Sequence, residues 1–271
     1  MLKKAVFFTL LLSSRLYAVE ESPWIGNLYE FNIQSKETYS RYRWIDSAFK
    51  QPSYAYNNYV TDVGISFVPA ENLDLGLELE MARTPFQLYG FRSSALGARY
   101  VLLDDIAGDP LSLTLGLNLR AVSSRSVRDV SSPYASYMNY EITTALGKEF
   151  SEKGFWISRF YALGSIGIAN HGSVWNRAYA AFEKCFFQTQ VIKVFTVGYF
   201  GYGPKKIVDS NNFYGWGEVC HRSIDCGIQY RYGLSVWGEI GLSYAYRVLA
   251  RSYPQNTQTA EISYTLPFSF F

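Results

Sequence analysis

The sequence predicts an all-β protein, a transmembrane antiparallel up-and-down β-barrel of about twelve strands. Three observations predict this fold. Long segments alternate apolar and polar residues with a period of two, which is typical of strands whose two faces meet different surroundings. The N-terminus has the pattern of an export signal. No later stretch has the length and apolarity of a membrane-spanning helix, and closed barrels are the other structure that satisfies every backbone group in hydrocarbon.

Residues 1–18 are predicted to be a secretory signal peptide. Lys3 and Lys4 give a positive start, residues 5–12 (AVFFTLLL) form an uninterrupted apolar run, and Ala18 offers a cleavage position. An apolar run of this length is too short to span a bilayer, which takes about 20 residues. The remaining chain, residues 19–271, is therefore expected to form one barrel domain.

Composition supports a membrane location and argues against nucleic-acid binding. Charged residues make up only 18% of the chain, and aromatic residues another 18%, with 23 tyrosines. A soluble domain carries about 25% charged residues, whereas many tyrosines suit a belt of rings at a membrane interface. The formal net charge of +2 gives no basic surface for a nucleic acid.

The clearest alternation occurs in residues 73–81 and 111–119, where leucines occupy every second position opposite Asp, Gly, Glu, Ser and Arg. Two architectures produce this pattern. A soluble β-sandwich also has two-faced strands, but its core is about 10 Å thick and its outer face usually carries more lysine. The leucine ladders, the export signal and the terminal aromatic residue together favour the membrane barrel.

Short and long connections are expected to alternate along the chain. Strands are predicted at 28–44, 54–68, 73–81, 96–102, 111–119, 134–148, 156–170, 173–184, 190–203, 213–230, 236–246 and 260–271. Most outer connections, such as 121–133 and 203–212, are longer than the turns at 69–72 or 231–233. This predicts a barrel with both termini on the periplasmic side. The short connection near 171–174 is the exception.

The last strand ends on aromatic residues, and with the signal peptide and the alternating strands it resembles Gram-negative outer-membrane β-barrel proteins. In that class the last strand is the recognition signal for the assembly machinery. The resemblance implies a location in the outer membrane, with outer-membrane lipids, the barrel assembly machinery and periplasmic chaperones as partners. The implied assembly signal comprises Tyr264, Leu266, Phe268, Phe270 and Phe271. Pro267 is expected near the periplasmic rim, where pairing with the first strand runs out.

Charged residues opposite the apolar ladders are predicted to face the lumen. They are Asp74, Glu78, Glu80, Arg99, Arg120, Glu141, Arg159, Asp225, Arg231, Glu239 and Arg247. Two interpretations stay open: a network of salt bridges that fills a narrow interior, or a pore whose charges act on solutes. Glycines on the same face, such as Gly147 and Gly227, would leave room and favour some cavity.

One short segment suggests catalysis. His171 and Ser173 lie two residues apart, and Trp-Asn-Arg follows at 175–177. This arrangement resembles outer-membrane phospholipase A, a calcium-dependent dimeric barrel that hydrolyses phospholipid esters. The resemblance implies His171 as base, Ser173 as nucleophile and Asn176 as the residue that orients the imidazole. The alternative is that residues 170–173 are polar turn residues.

No other cofactor or metal site is predicted. His221 has no Cys, His or Asp partner at metal-ligand spacing, and Cys185, Cys220 and Cys226 are too few for a disulfide framework. Lys205 and Lys206 form an exposed pair that either contacts anionic lipid or is solvated. Two functional hypotheses follow: a small passive channel or structural surface protein, and, as the alternative, a lipid hydrolase that would need calcium.

Overall fold

The computed structural model describes residues 22–152 and 154–269 of the chain. Within these residues twelve antiparallel strands follow one another around a closed barrel, and the first pairs with the last. The barrel strands are β1 (Phe31–Tyr42), β3 (Tyr56–Ala70), β4 (Leu73–Arg83), β5 (Gly90–Leu103), β6 (Ser112–Val122), β7 (Met138–Glu152), β8 (Phe155–Ala169), β9 (Trp175–Phe186), β10 (Gln190–Gly201), β11 (Arg222–Gly233), β12 (Glu239–Arg251) and β14 (Gln258–Phe268). The predicted twelve-stranded barrel is confirmed. The predicted signal peptide, Phe270 and Phe271 lie outside the described residues.

Alternating side chains separate an apolar outside from a polar inside. On β4 the exposed leucines Leu75, Leu77 and Leu79 alternate with the buried carboxylates of Glu78 and Glu80. Adjacent residues of a strand point to opposite faces, so an entire row of leucines faces outward while the carboxylates face the interior. An exposed apolar belt around a polar interior is the reverse of a soluble sandwich and fits a barrel surrounded by lipid.

The connections differ at the two ends of the barrel. One end has the short turn at 71–72 and the turns at 104–111, 187–189 and 234–238, and β1 begins and β14 ends there. We call it the turn end. The opposite loop end has the long connections 123–137 and 202–221. In barrels of this type the termini and the short turns face the periplasm, which orients the loop end toward the cell exterior.

Pro267 lies in the closing strand β14, beyond the point where this strand pairs with β12. Pairing between β14 and β12 ends at Thr265, opposite Glu239, whereas pairing with β1 continues to Phe268, opposite Phe31. It is therefore the ladder to β12, and not the one to the first strand as the sequence suggested, that has ended at the proline. Gly238 enters this corner with φ of +86°, and a Cβ there would lie 2.0 Å from the Thr265 carbonyl oxygen, so only glycine fits.

Two predicted strands start later than their sequences suggested, because the preceding residues enter the barrel. The strand predicted at 213–230 begins only at Arg222, and the one predicted at 134–148 begins at Met138. Tyr134 and Trp216, in the segments before them, are 4% and 2% exposed. Burial of these rings in the barrel mouth removes more apolar surface from water than an extended hairpin would.

The two larger clusters of buried apolar residues lie inside the barrel, one toward each end. The loop-end plug, with the two-residue strands β2 (Trp44–Ile45) and β13 (Pro254–Gln255) beside it, consists of Tyr42, Ile45, Tyr56, Val130, Val208, Phe213, Trp216, Val219 and Tyr253. The turn-end cluster consists of Trp24, Ala145, Tyr161, Leu163, Tyr179, Ala181 and Val197. Helical structure is short, with α1 (Ser124–Val127) in the loop before β7. No helix in the described residues is long and apolar enough to cross a membrane.

The apolar belt predicts a position-dependent response to charge. Leu77→Arg places a guanidinium near the middle of the lipid-facing belt and is expected to destabilise the barrel by about 2–4 kcal/mol. The matched change Leu88→Arg, in the loop 84–89 where Leu88 is 84% exposed, is expected to cost about 0–1 kcal/mol. Urea titration of the barrel folded in lipid vesicles measures both. Equal costs at the two positions would contradict a lipid-facing belt.

Candidate functional site

The lumen contains a buried network of charges on the wall formed by β3 to β6. Arg120 lies 2.7 Å from Glu78 and 3.8 Å from Glu80, and Arg92 lies 3.3 Å from Glu80. Tyr134, from the loop before β7, donates its hydroxyl to the same Glu80 carboxylate. Charged groups can be buried at tolerable cost only when paired and hydrogen-bonded, so this network fixes the wall and the loop residue together.

Further ion pairs line the rest of the interior. Arg231 bridges two carboxylates, with Glu183 at 2.8 Å and Glu239 at 3.2 Å. The remaining lumen pairs are Arg99 with Asp74, Arg159 with Glu149, Arg177 with Glu141, and Arg247 with Asp225. The structure thus places every predicted lumen residue in an ion pair. Because the pairs join neighbouring or near strands, they leave space along the axis instead of crossing it.

The turn end of the lumen is occupied by the start of the described chain. The Trp24 indole donates Nε1–H to Asp105 at 2.9 Å, contacts the Tyr161 ring edge-on at 5.7 Å and lies under the Arg159 guanidinium at 4.7 Å. Arg99 donates to the carbonyl of Ser22 at 3.1 Å. We call residues 22–24 the N-terminal plug, since they contact inward-facing side chains of the barrel wall and Asp105 of the turn 104–111.

Gly147, in the barrel wall, leaves the space that the N-terminal plug occupies. A Cβ at Gly147 would lie 2.7 Å from the Pro23 ring and 2.9 Å from the Trp24 indole. Likewise, a Cβ at Gly227 would lie 2.4 Å from the Phe195 ring. The expectation that these two glycines leave open space is wrong, because neighbouring rings occupy the space that their missing side chains create.

The loop end is filled by aromatic stacking around His221. Its ring lies parallel to Tyr253 at 5.0 Å and tilted against Trp216 at 5.2 Å, and the Trp216 indole donates to the Ser132 carbonyl at 2.8 Å. His221 precedes β11, in the connection outside the strands. Burial lowers the pKa of His221 to about 4, although its hydrogen bond with the Val219 carbonyl favours the charged form. His221 therefore stays neutral at pH 7 and packs as an aromatic residue.

Cavities remain between the two plugs. The central cavity has a volume of about 170 Å³, with tyrosines and Phe195 on one side and polar residues of β1, β11, β12 and β14 on the other. The Lys193 ammonium lies over the rings of Tyr179 and Phe195, at 6.0 and 5.8 Å. A smaller cavity of about 50 Å³ lies by Asp62, Asp74 and Lys36. The described residues thus leave a series of spaces in the lumen, each lined at least partly by polar side chains.

The proposed catalytic residues do not form a hydrogen-bonded set within the described chain. His171 is exposed in the connection 170–174, and the Ser173 backbone N–H donates to the Gly217 carbonyl at 2.7 Å. Asn176 lies opposite the lipid-facing Ile166 and donates to the Tyr202 hydroxyl at 3.3 Å. The base, the nucleophile and the orienting amide are therefore not coupled as acyl transfer requires.

The remaining predicted residues lie outside the lumen network. Tyr264 and Leu266, on β14, pair across from Ser35 and Ile33 on the outer face, and Phe268 stacks on Phe31 at 5.3 Å. Cys185, Cys220 and Cys226 are free thiols. No group of metal-binding side chains occurs in residues 22–152 and 154–269.

Several lumen residues escaped the sequence analysis. Arg177 and Glu183 share the parity of the inward Tyr179 on β9, so strict alternation could have found them. Arg92 was hidden by the irregularity between β4 and β5, where the register shifts after Glu80. Trp24 carries no periodic signal, because its position depends on the barrel around it.

Comparisons with known proteins agree on the fold. An outer-membrane channel from Pseudomonas putida F1 superposes with a TM-score of 0.67 at 8% identity, over 90% of this chain and 97% of the other. The KdgM porin, solved with disordered oligogalacturonate, gives 0.55 at 10% identity over 88% and 99%, and the NanC porin gives 0.56 at 9% over 86% and 98%. No protein-family model and no curated protein sequence matches the chain. The protein has the fold of outer-membrane barrels.

The buried pair of Arg247 and Asp225 predicts a compensating double mutant. The two side chains meet through paired contacts of 2.6 and 2.8 Å. Arg247→Met leaves a buried carboxylate without its guanidinium and is expected to destabilise the barrel by about 3–5 kcal/mol. The double variant Arg247→Met/Asp225→Leu is expected to recover most of this loss, as measured by urea unfolding in bilayers. A double variant no more stable than the single one would contradict the argument.

The lowered pKa of His221 predicts a loss of stability in acid. Below the unfolded-state value near 6.5 the unfolded chain binds a proton that the folded chain excludes, so stability is intact above pH 6.5 and falls as pH drops toward 4. At pH 5 the expected loss is about 2 kcal/mol. Urea unfolding at pH 7.5 and 5.0 measures this loss of unfolding free energy, and the variant His221→Phe should lack the part that is due to His221. An NMR midpoint near 6.5 for His221, with His171→Gln for assignment, would contradict the prediction.

Proposed function

We propose that the protein is an outer-membrane channel for small polar solutes and that the structure is its closed conformation. The observation that carries this proposal is a polar, ion-paired lumen with unfilled cavities between two plugs. A barrel that served only as a scaffold would gain more stability from an apolar, filled interior, since buried ion pairs contribute little net stability. The shared fold with a channel and two porins supports the proposal.

The solutes are small and carry little net charge. Carboxylates and guanidinium groups in the lumen occur in pairs, so their fields largely cancel and neither sign of ion is favoured. The central cavity offers rings on one side and hydrogen-bonding groups on the other, a combination that suits ligands with one apolar and one polar face. The KdgM porin was solved with an oligogalacturonate, whereas the paired charges here favour neutral or zwitterionic solutes over a polyanion.

A path along the lumen opens only when both plugs are displaced, so the open probability depends on the cost of displacing each of them. The N-terminal plug is held by a few directional contacts to Asp105, Arg99 and Tyr161, and no strand pairing secures it. The loop-end plug is a larger cluster of packed rings. The N-terminal plug is therefore the element that we expect to move with less cost.

Two other functions remain to be compared. A structural or surface protein would show no conductance in the folded state. The lipid hydrolase is not favoured by the positions of His171, Ser173 and Asn176, and a phospholipid deacylation assay on the wild type and Ser173→Ala tests it directly. Equal activity in both variants removes the hydrolase.

Planar-bilayer recording tests the channel and its closure. Trp24→Ala removes a buried indole whose packing is worth about 3–5 kcal/mol, so the closed state loses stability and the open probability should rise by about tenfold or more. The reversal potential in a salt gradient should stay close to zero, because the lumen charges cancel.

The control is Trp237→Ala, since Trp237 is 70% exposed at the turn end and does not belong to the turn-end cluster. Its conductance should equal that of the wild type. The absence of conductance above background in both folded variants would refute the channel. An equal rise of the open probability in Trp24→Ala and Trp237→Ala would contradict the role of the N-terminal plug but not the channel.

A further inference from the structure

Two arginines face each other on the outer rim of the barrel. Arg222 begins β11, Arg251 ends β12, and the two are cross-strand partners. Their neighbours Ser223 and Ala250 point inward, Ser223 fully buried and Ala250 against the loop-end plug. Because neighbouring residues of a strand alternate in direction, the two arginine side chains point outward. Like charges directly opposite one another destabilise a strand pair.

No carboxylate within the described chain forms an ion pair with either guanidinium, whereas the lumen arginines are paired. The backbone of a third cationic residue, Lys206, lies close by. The Lys205 carbonyl accepts a hydrogen bond from Cys220 N–H at 2.7 Å, and the Lys206 carbonyl accepts one from the Ser252 hydroxyl at 2.9 Å. The backbone at 205–206 is thus hydrogen-bonded to Cys220, two residues before Arg222, and to Ser252, which follows Arg251. Lys205 is already paired with Glu218.

The surface directly below the two arginines is apolar. On β12, Leu249 is 45% exposed and Val248 57% exposed, and further toward the middle of the barrel Ile228 and Tyr244 are 51% and 47% exposed. Leu249 lies opposite Ile224. Along a strand these residues extend about 20 Å from the rim into the belt. A cationic rim above an apolar strip complements a molecule with an anionic head and hydrocarbon tails.

We propose that Arg222 and Arg251, together with Lys206, bind a phosphate group of an outer-leaflet lipid. Guanidinium groups bind phosphate through paired, charge-assisted hydrogen bonds, and one phosphate between the two arginines would neutralise their repulsion. The strip formed by Ile224, Val248 and Leu249 would hold the acyl chains. A soluble phosphate compound would use the arginines but not this strip, which is why the site is assigned to a lipid.

The experiment compares three probes on the folded barrel in detergent micelles: diphosphorylated lipid A, the same lipid without phosphates, and inorganic phosphate. Native mass spectrometry measures binding. The wild type should bind the diphosphorylated lipid most tightly. Arg222→Gln/Arg251→Gln should weaken that binding by about tenfold or more, because charge-assisted hydrogen bonds are lost. The control Arg83→Gln/Arg125→Gln removes the same net charge elsewhere on the exposed loop end and should change it by less than about twofold.

Thermal unfolding of single variants at Arg251 gives a second readout, in which loss of the charge stabilises the lipid-free barrel. Without lipid, Arg251→Gln should raise the melting temperature, because it removes a like-charge pair. With the diphosphorylated lipid, the wild type should gain more stability than this variant, and Arg251→Lys should keep most of that gain.

Three outcomes would overturn the proposal. An equal loss in the control double variant would mean that overall charge, and not this site, attracts the lipid. Equal binding of the phosphate-free lipid would mean that the acyl chains alone are recognised. Binding of inorganic phosphate as tight as that of the lipid would assign the site to a soluble anion.

Discussion

Closure of the backbone hydrogen bonds between β1 and β14 is the constraint on which the rest of this structure depends. In hydrocarbon an unpaired backbone group costs several kcal/mol, so all twelve strands must pair on both sides across the belt. Closure fixes the direction of every side chain along each strand. One set of alternate residues must meet lipid, and the other set must share the enclosed interior, whatever its chemistry.

The enclosed interior explains the charge network. Residues such as Glu80, Arg92 and Arg120 are 5% exposed or less, so each charge needs a partner within reach. The strands supply these partners at neighbouring positions, and Arg231 serves two carboxylates at once. Pairing along the wall leaves space along the axis. The N-terminal plug and the loop-end plug then occupy the two ends with rings, and the central cavity keeps one polar side.

The outer rim obeys the opposite rule. Arg222 and Arg251 are exposed and lie directly opposite each other. In the lumen the carboxylates of Asp62 and Glu80 also lie opposite each other, but Arg92 and Arg120 beside Glu80 offset their repulsion. At the rim, solvent or an anionic headgroup can screen the repulsion between the two arginines. The same strands, β11 and β12, thus carry an ion pair inside, between Asp225 and Arg247. Outside they carry two arginines for which the described residues supply no carboxylate partner.

The sequence by itself determined the barrel, because a period of two is a local property and the leucine ladder of β4 displays it directly. Parity along an assigned strand also gave the inward direction of charges such as Glu78 and Arg120, but not that of Arg92, which lies at a register shift. Tertiary structure alone decided the partners of these charges, the shift that brings Arg92 to Glu80, and the entry of Trp24 and Trp216 into the barrel. These features depend on register and on space left by residues distant in the chain, such as Gly147, and no local pattern encodes them.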